Sequence, residues 1–341
     1  MKSIIRKLNK IMMVVAGALV WFGIFCFASP EPTAWYLRKL FEQGEYSRPK
    51  NYEEIRKRIK VIRDIDYGSA YENGIADLIR PKKERRKKLP VIFWMHGGAY
   101  VGGDKQETES YCVCLADKGF AVVNFNYALS PETHYPAQVI QVGEVYRFFQ
   151  RHAEFYGLDM ENVYFGGDSA GAQILSVFLN IQTNEDFARK TGIKPVVQTP
   201  IRGTLLYCGP YNLRKLEDIT TPIVGFMLER AAWAYIGAKN WADTKEAQQN
   251  DIFGKLTDRF PPAFLTDGNT VSFGDHMERL ESELQRLGVP VRAVYYPRKD
   301  KILGHEYQFH MADKYAQETF EEAVAFLGET QKDFQKQPLE V

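Results

Sequence analysis

The chain has 341 residues, 45% of them hydrophobic and 26% charged, with a formal net charge of +1. That balance suits a globular protein with one large core or two small ones and gives no reason to expect nucleic acid as a partner. The 4 cysteines are too few for a disulfide framework and show no metal-ligand spacing. Unpaired thiols and no metal are therefore expected.

Lys2, Arg6, Lys7 and Lys10 precede an uncharged apolar run over residues 11–29. Its length is close to the ~20 residues a helix needs to cross a bilayer. The basic flank predicts a cytoplasmic stub over 1–10, an anchor over 11–29 and the rest of the chain on the extracytoplasmic side. The alternative is a signal peptide cleaved near Ala28, giving a secreted protein. Residues 30–58, broken by Pro30, Pro32 and Pro49, read as a connector or the first part of a cap. Early antiparallel strands are expected within 59–80. The basic run from Lys82 to Lys88 then reads as a solvated hairpin tip between two strands.

Beyond it, strands and helices alternate. Strands are predicted over 91–96, 121–126, 162–167, 204–209, 263–267 and 292–297. They are continuous apolar runs, as parallel strands covered on both faces should be. Amphipathic helices lie between them, for example over Ala137–Tyr156. This pattern predicts an α/β fold: a mostly parallel central sheet with helices on both faces and ligands at the carboxyl ends of the strands. Residues 211–258 interrupt the alternation and carry Phe226, Met227, Trp233, Tyr235 and Trp241 at helical spacing. They read as a helical lid, whose aromatics either line a pocket or pack onto the core. The domain is drawn over 59–330, with a polar tail over 331–341.

Two motifs carry chemistry. His96-Gly97-Gly98-Ala99-Tyr100 follows the strand Val91–Met95 at once. A glycine pair there can present N–H groups to a reacting carbonyl, because no side chain blocks the approach. Further on, Gly167-Asp168-Ser169-Ala170-Gly171 stands between an apolar strand and a helix. Strand, G-x-S-x-G, helix is the layout of a nucleophile elbow. With the glycine loop upstream, Ser169 is the expected nucleophile and the N–H groups of Gly97 or Gly98 and of Ala170 the expected oxyanion hole.

A serine nucleophile needs a base, and the chain order serine, acid, histidine leaves His276, His305 and His310. His305, between the last strand and the last helix, can reach back over the sheet and is preferred. The acid should lie just past the penultimate strand, at Asp267 or Asp275. Asp267 stands at the strand end. Ser272 and Asp275 have the spacing of a capping box opening the helix that runs to Gly288. Asp267 is therefore the expected acid and Asp275 the alternative.

The chain also resembles the hormone-sensitive-lipase-like branch of the α/β-hydrolases. The resemblance rests on His96-Gly97-Gly98, on Asn126-Tyr127-Ala128-Leu129-Ser130-Pro131-Glu132 with Tyr135-Pro136-Ala137, on Gly167-Asp168-Ser169-Ala170-Gly171, and on Pro261-Pro262-Ala263. It covers about residues 60–330. Ala99 stands where many members have a third glycine, and Asn126 and Ala128 replace an acidic and a basic residue common in relatives. Counted from Pro261-Pro262, the family's aspartate register falls on Val271, not on a carboxylate. The resemblance implies an esterase or lipase that hydrolyses small-molecule carboxylic esters of short to medium acyl chain through an acyl-enzyme, without a cofactor. Acyl transfer by the same Ser169 and His305, or ligand binding on a catalytically weakened hydrolase scaffold, are the alternatives.

Overall fold

The computed structural model describes residues 2–42, 46–83, 88–218 and 221–336. Its sheet has the strands β1 (Ile59–Asp66), β2 (Ile75–Pro81), β3 (Leu89–Met95), β4 (Ala121–Phe125), β5 (Leu158–Asp168), β6 (Ile201–Tyr207), β7 (Ala263–Thr266) and β8 (Val291–Val294). The spatial order is β1-β2-β4-β3-β5-β6-β7-β8. The β1–β2 and β2–β4 pairs are antiparallel and every later pair is parallel. Each residue of β3 is buried, as its uninterrupted apolar sequence requires of a strand covered on both faces.

The helices are α1 (Lys2–Ala28), α2 (Glu31–Phe41), α3 (Tyr52–Arg58), α4 (Glu109–Asp117), α5 (Ala137–Arg151) and α6 (Ala153–Tyr156) in the first half. The second half holds α7 (Ser169–Thr183), α8 (Glu185–Thr191), α9 (Pro222–Ile236), α10 (Lys245–Gln249), α11 (Gly274–Arg286) and α12 (Lys314–Lys336). They divide the core into two layers. One face of the sheet packs on α5, α7 and α11 through residues such as Tyr146, Phe178 and Leu280. The other packs on α3, α4 and α12 through Ile55, Tyr111 and Phe320. In α11 the apolar residues Met277, Leu280 and Leu284 recur at helical spacing and are the buried ones.

A smaller cluster joins α2 to α9 through Ala34, Leu37, Ala231 and Ala234. The sequence of α9 explains its limits. The Thr221 hydroxyl accepts from the Val224 N–H, Pro222 opens the helix, and Gly237 closes it in the left-handed region. These two helices roof the carboxyl end of the sheet.

The basic run does not close a hairpin. Residues 84–87 lie outside the described residues, and β4 stands between β2 and β3, pairing with both. The cause is in β3 itself, which takes parallel partners on both edges and so leaves none for β2.

Along α1, Lys10–Ala28 is a stretch of 19 residues long and apolar enough to cross a membrane. Its Ile11, Val14, Trp21, Ile24 and Phe27 are all exposed. A core helix of a water-soluble body would have hidden such a surface.

Candidate active site

Strand β5 ends at Asp168 and α7 begins at Ser169, so the chain turns within one residue. Ser169 takes φ +48°, a strained conformation for a residue with a side chain. The flanking glycines follow from crowding. A Cβ on Gly171 would fall on the carbonyl oxygens of Met95 and His96, and one on Gly167 would lie 2.7 Å from the Met95 oxygen. The elbow is thus pressed against the end of β3, where the glycine loop starts.

In that loop Gly98 takes φ +110° and Ala99 φ +49°. Alanine accepts the left-handed turn where the resemblance leads to a third glycine. Burial lowers the pKa of the His96 imidazole. Its Nδ1 is 2.7 Å from the Gly97 carbonyl, and its ring stacks on Tyr127 at 4.5 Å. The expected donor set needs one correction. The Gly97 N–H points at the Asp168 carboxylate, 2.7 Å away, and not into the cavity. Gly98 and Ala170 remain, the latter in the first turn of α7, where N–H groups have no partner within the helix.

Asp168 was not singled out from the sequence. Its carboxylate also accepts from the Trp94 indole N–H at 3.2 Å, so it clamps the elbow to the glycine loop. Burial, with Glu306 nearby, pushes its pKa well above the usual carboxylate range. The sequence signal was its place as the variable residue of G-x-S-x-G, directly before Ser169.

Of the three candidate histidines, His305 is the one at the elbow. Its Nε2 is 2.9 Å from Ser169 Oγ. His276 faces the Lys215 carbonyl, and His310 lies beside Tyr46 at the mouth of the cavity. The loop bearing His305 is fastened to the loop after β7. Asn269 exchanges hydrogen bonds with the backbone of Leu303 in both directions, and Gly268 is too close to the Gly304 carbonyl to bear a side chain.

The acid side departs from expectation. His305 Nδ1 meets no carboxylate. It donates to Ser272 Oγ at 2.7 Å, and the Ser272 hydroxyl in turn donates to Asp267 Oδ1. Asp267, only 5% exposed, also accepts from the Gly268 N–H at 2.7 Å. Burial raises its pKa, while His305 and the Ser272 hydroxyl act to lower it. Val271, at the family's aspartate register, takes φ +50° and is exposed. A β-branched residue there is strained, and the kink turns the next side chain, Ser272, inward. The capping box with Asp275 is therefore not formed. Ser272 spends its hydroxyl on the histidine and Asp267, the helix cap falls at Phe273 without a side-chain bond, and Asp275 is exposed in the first turn of α11.

A ligating atom each of Cys208, Asp267 and His305 converge within 4.8 Å. They could in principle gather round an ion. Each is already engaged within the protein: the Cys208 thiol donates to Gln308 Oε1 at 3.4 Å, and Asp267 and His305 are joined through Ser272.

Ser169 opens into a cavity of about 400 Å³. Leu37 and Phe41 of α2 and Met227 and Ala231 of α9 form its apolar side, and Tyr46, Glu107 and Glu306 its polar side. Of Phe226, Met227, Trp233, Tyr235 and Trp241, only Met227 lines the cavity. Tyr235 is buried and stacks on Tyr100 at 4.1 Å.

The sheet order, the serine at a strand–helix turn and the glycine loop beside it define an α/β-hydrolase of the esterase type. A family model described as BD-FAE matches residues 76–273, more than half of the chain, and the chain belongs to that family. A putative alpha/beta hydrolase of Acanthamoeba polyphaga mimivirus is 26% identical over 75% of this chain and 74% of its own. An acetyl esterase of Salmonella schwarzengrund is 33% identical over 61% of this chain and 63% of its own. Among solved structures, esterase B from Lactobacillus rhamnosis superposes with a TM-score of 0.71 at 22% identity, covering 88% of this chain and 93% of that one. An esterase of Pyrobaculum calidifontis gives 0.66 at 21% identity, covering 87% and 93%.

Proposed function

We propose that the protein hydrolyses carboxylic esters of short to medium acyl chain through an acyl-enzyme on Ser169. The observation that carries this reading is the 2.9 Å contact between Ser169 Oγ and His305 Nε2 at the floor of a largely apolar cavity. Ser169 attacks the acyl carbon while His305 Nε2 takes its proton. The N–H groups of Gly98 and Ala170 receive the charge that develops on the carbonyl oxygen. His305 then hands the proton to the leaving alcohol, and water releases the acyl group. During both steps the positive charge on the imidazole is countered through Ser272, with Asp267 as the terminal acceptor. The cavity volume suits a modest acyl chain. Relatives named acetyl esterase and versiconal hemiacetal acetate esterase support the same size class.

In the same reading α1 is a single amino-terminal anchor, and the basic residues before it keep the catalytic body on the extracytoplasmic side. Turnover of p-nitrophenyl butyrate should fall by at least about 10³ in Ser169→Ala, with loss of labelling by a fluorophosphonate probe. Equal activity in the two proteins would remove Ser169 from the mechanism.

A further inference from the structure

We infer that the cavity is filled from the bilayer, and that the substrate is an ester apolar enough to reside in a membrane leaflet. The inference rests on the proposed anchor and esterase readings and adds the source and class of the substrate. Only Ser29 and Pro30 separate the end of α1 from the start of α2, so the roof of the cavity begins where the span ends. A second contact fixes the junction. Phe226 of α9 meets the Phe27 ring at 6.5 Å, edge to face, and Arg230 of α9 donates to the Phe27 carbonyl at 3.3 Å. Both roof helices therefore touch, or lead directly from, the last turn of the span.

The outward faces of these helices have the composition of a membrane-interface belt. Trp35 is 64% exposed and Ile223 70% exposed, with Tyr36 also open. Aromatic residues with apolar bodies and polar tips settle at headgroup level, and so do arginines that shield their stems on rings. Arg230 lies over Phe226 at 4.9 Å and over Trp233 at 5.0 Å. The opposite faces of the same helices carry Leu37, Phe41 and Met227 into the cavity. One layer of helix thus has lipid chemistry outside and acyl chemistry inside, and its membrane side is continuous with the span. A second protein seated on this patch would have to share it with the bilayer that α1 brings within one turn. A substrate moving from leaflet to cavity keeps its apolar part out of water, and so avoids the cost of exposing that surface on leaving the bilayer.

The test uses the full chain reconstituted into vesicles of phosphatidylcholine and phosphatidylglycerol. Dioctanoylglycerol held in the vesicles is compared with water-soluble p-nitrophenyl butyrate, for the wild type and for the Trp35→Glu/Ile223→Glu double variant. Neither substituted side chain lines the cavity. The expected result is a loss of about tenfold or more on the vesicle-held ester, with the soluble ester turned over within about twofold of wild type. Retained turnover of p-nitrophenyl butyrate shows that the variant is folded. Trp35→Gln/Ile223→Gln, a milder pair, should fall between the two. Equal loss on both esters, or no loss on either, overturns the inference, as does a wild type that ignores the vesicle-held ester while hydrolysing the soluble one. A wild type inert towards both esters sinks the esterase reading instead, and recovery of the full chain outside the vesicles sinks the anchor reading.

Discussion

The turn at Ser169 and the loop at residues 267–275 both serve one histidine, and they are built on different principles. The first is dictated by backbone crowding. Gly167 and Gly171 must lack side chains because the end of β3 occupies the space, and Ser169 has one place to go. The second is dictated by side chains. Asp267 lies at the end of β7, but what reaches His305 is Ser272, five residues later, turned in by a strained Val271. A geometry set by excluded volume is specific and local. One set by side-chain direction can be reached by several residues, and here a hydroxyl has taken the place of direct carboxylate contact.

The sharpest way to break this comparison is to remove the terminal acceptor. Asp267→Asn should lower kcat for p-nitrophenyl butyrate by about 10²–10⁴, as loss of the acid's charge does in a serine triad. An unchanged kcat would mean that Ser272 alone orients the imidazole. Ser272→Ala should cost less, about 10–10²-fold, because Asp267 keeps its place behind a gap that water can fill. If Ser272→Ala matched or exceeded Asp267→Asn, the hydroxyl would be the principal partner and the carboxylate only its support.

The elbow side has its own acid, half-buried beside the cavity. Burial, with Glu306 and Asp104 near, pushes Glu107 from 4.5 to about 7. The folded state therefore holds a proton that the unfolded chain has already released between those values. Stability should be greatest at or below pH about 4.5 on this account and decline as pH rises to about 7, then level off. Discounted for partial exposure, the decline amounts to about 1–2 kcal/mol. Glu107→Gln should remove it, as read from guanidinium unfolding at pH 5 and pH 8. A decline unaltered by the substitution would assign it to another group. The smallest effect is expected at Asp275. With no capping box, Asp275→Asn should cost no more than about 0.5 kcal/mol through the helix dipole, without altering kcat. A cost above about 1 kcal/mol would restore the capping role.

The same contrast explains what could be read in the sequence. The parallel strands announced themselves as continuous apolar runs, and the elbow and glycine loop as positions where only glycine fits. His305 was legible from its place between the last strand and the last helix. The relay was not, because Ser272 and Asp275 have the spacing of a helix cap and nothing in the sequence marks Val271 as left-handed. The engagement of the Gly97 N–H was hidden for a similar reason: it depends on where the Asp168 side chain points. The hairpin over Lys82–Lys88 failed because strand neighbours in sequence need not be neighbours in a sheet. Nor did patterning alone reveal that α2 and α9 join into one roof, since that follows from tertiary contact.

One side chain ties the amino-terminal segment to the catalytic body. Arg38, on α2, binds Glu132 in a two-pronged salt bridge, donates to the Ser130 carbonyl at 2.8 Å, and donates to the carbonyl of Val101 in the turn that follows the glycine loop. The helix that follows α1 is therefore riveted to the turn after the glycine loop. For anyone exchanging parts between relatives, the permissible seam lies within α1, upstream of Ser29. A graft joined further along would bring an intact α1 and an intact hydrolase without the rivet between them.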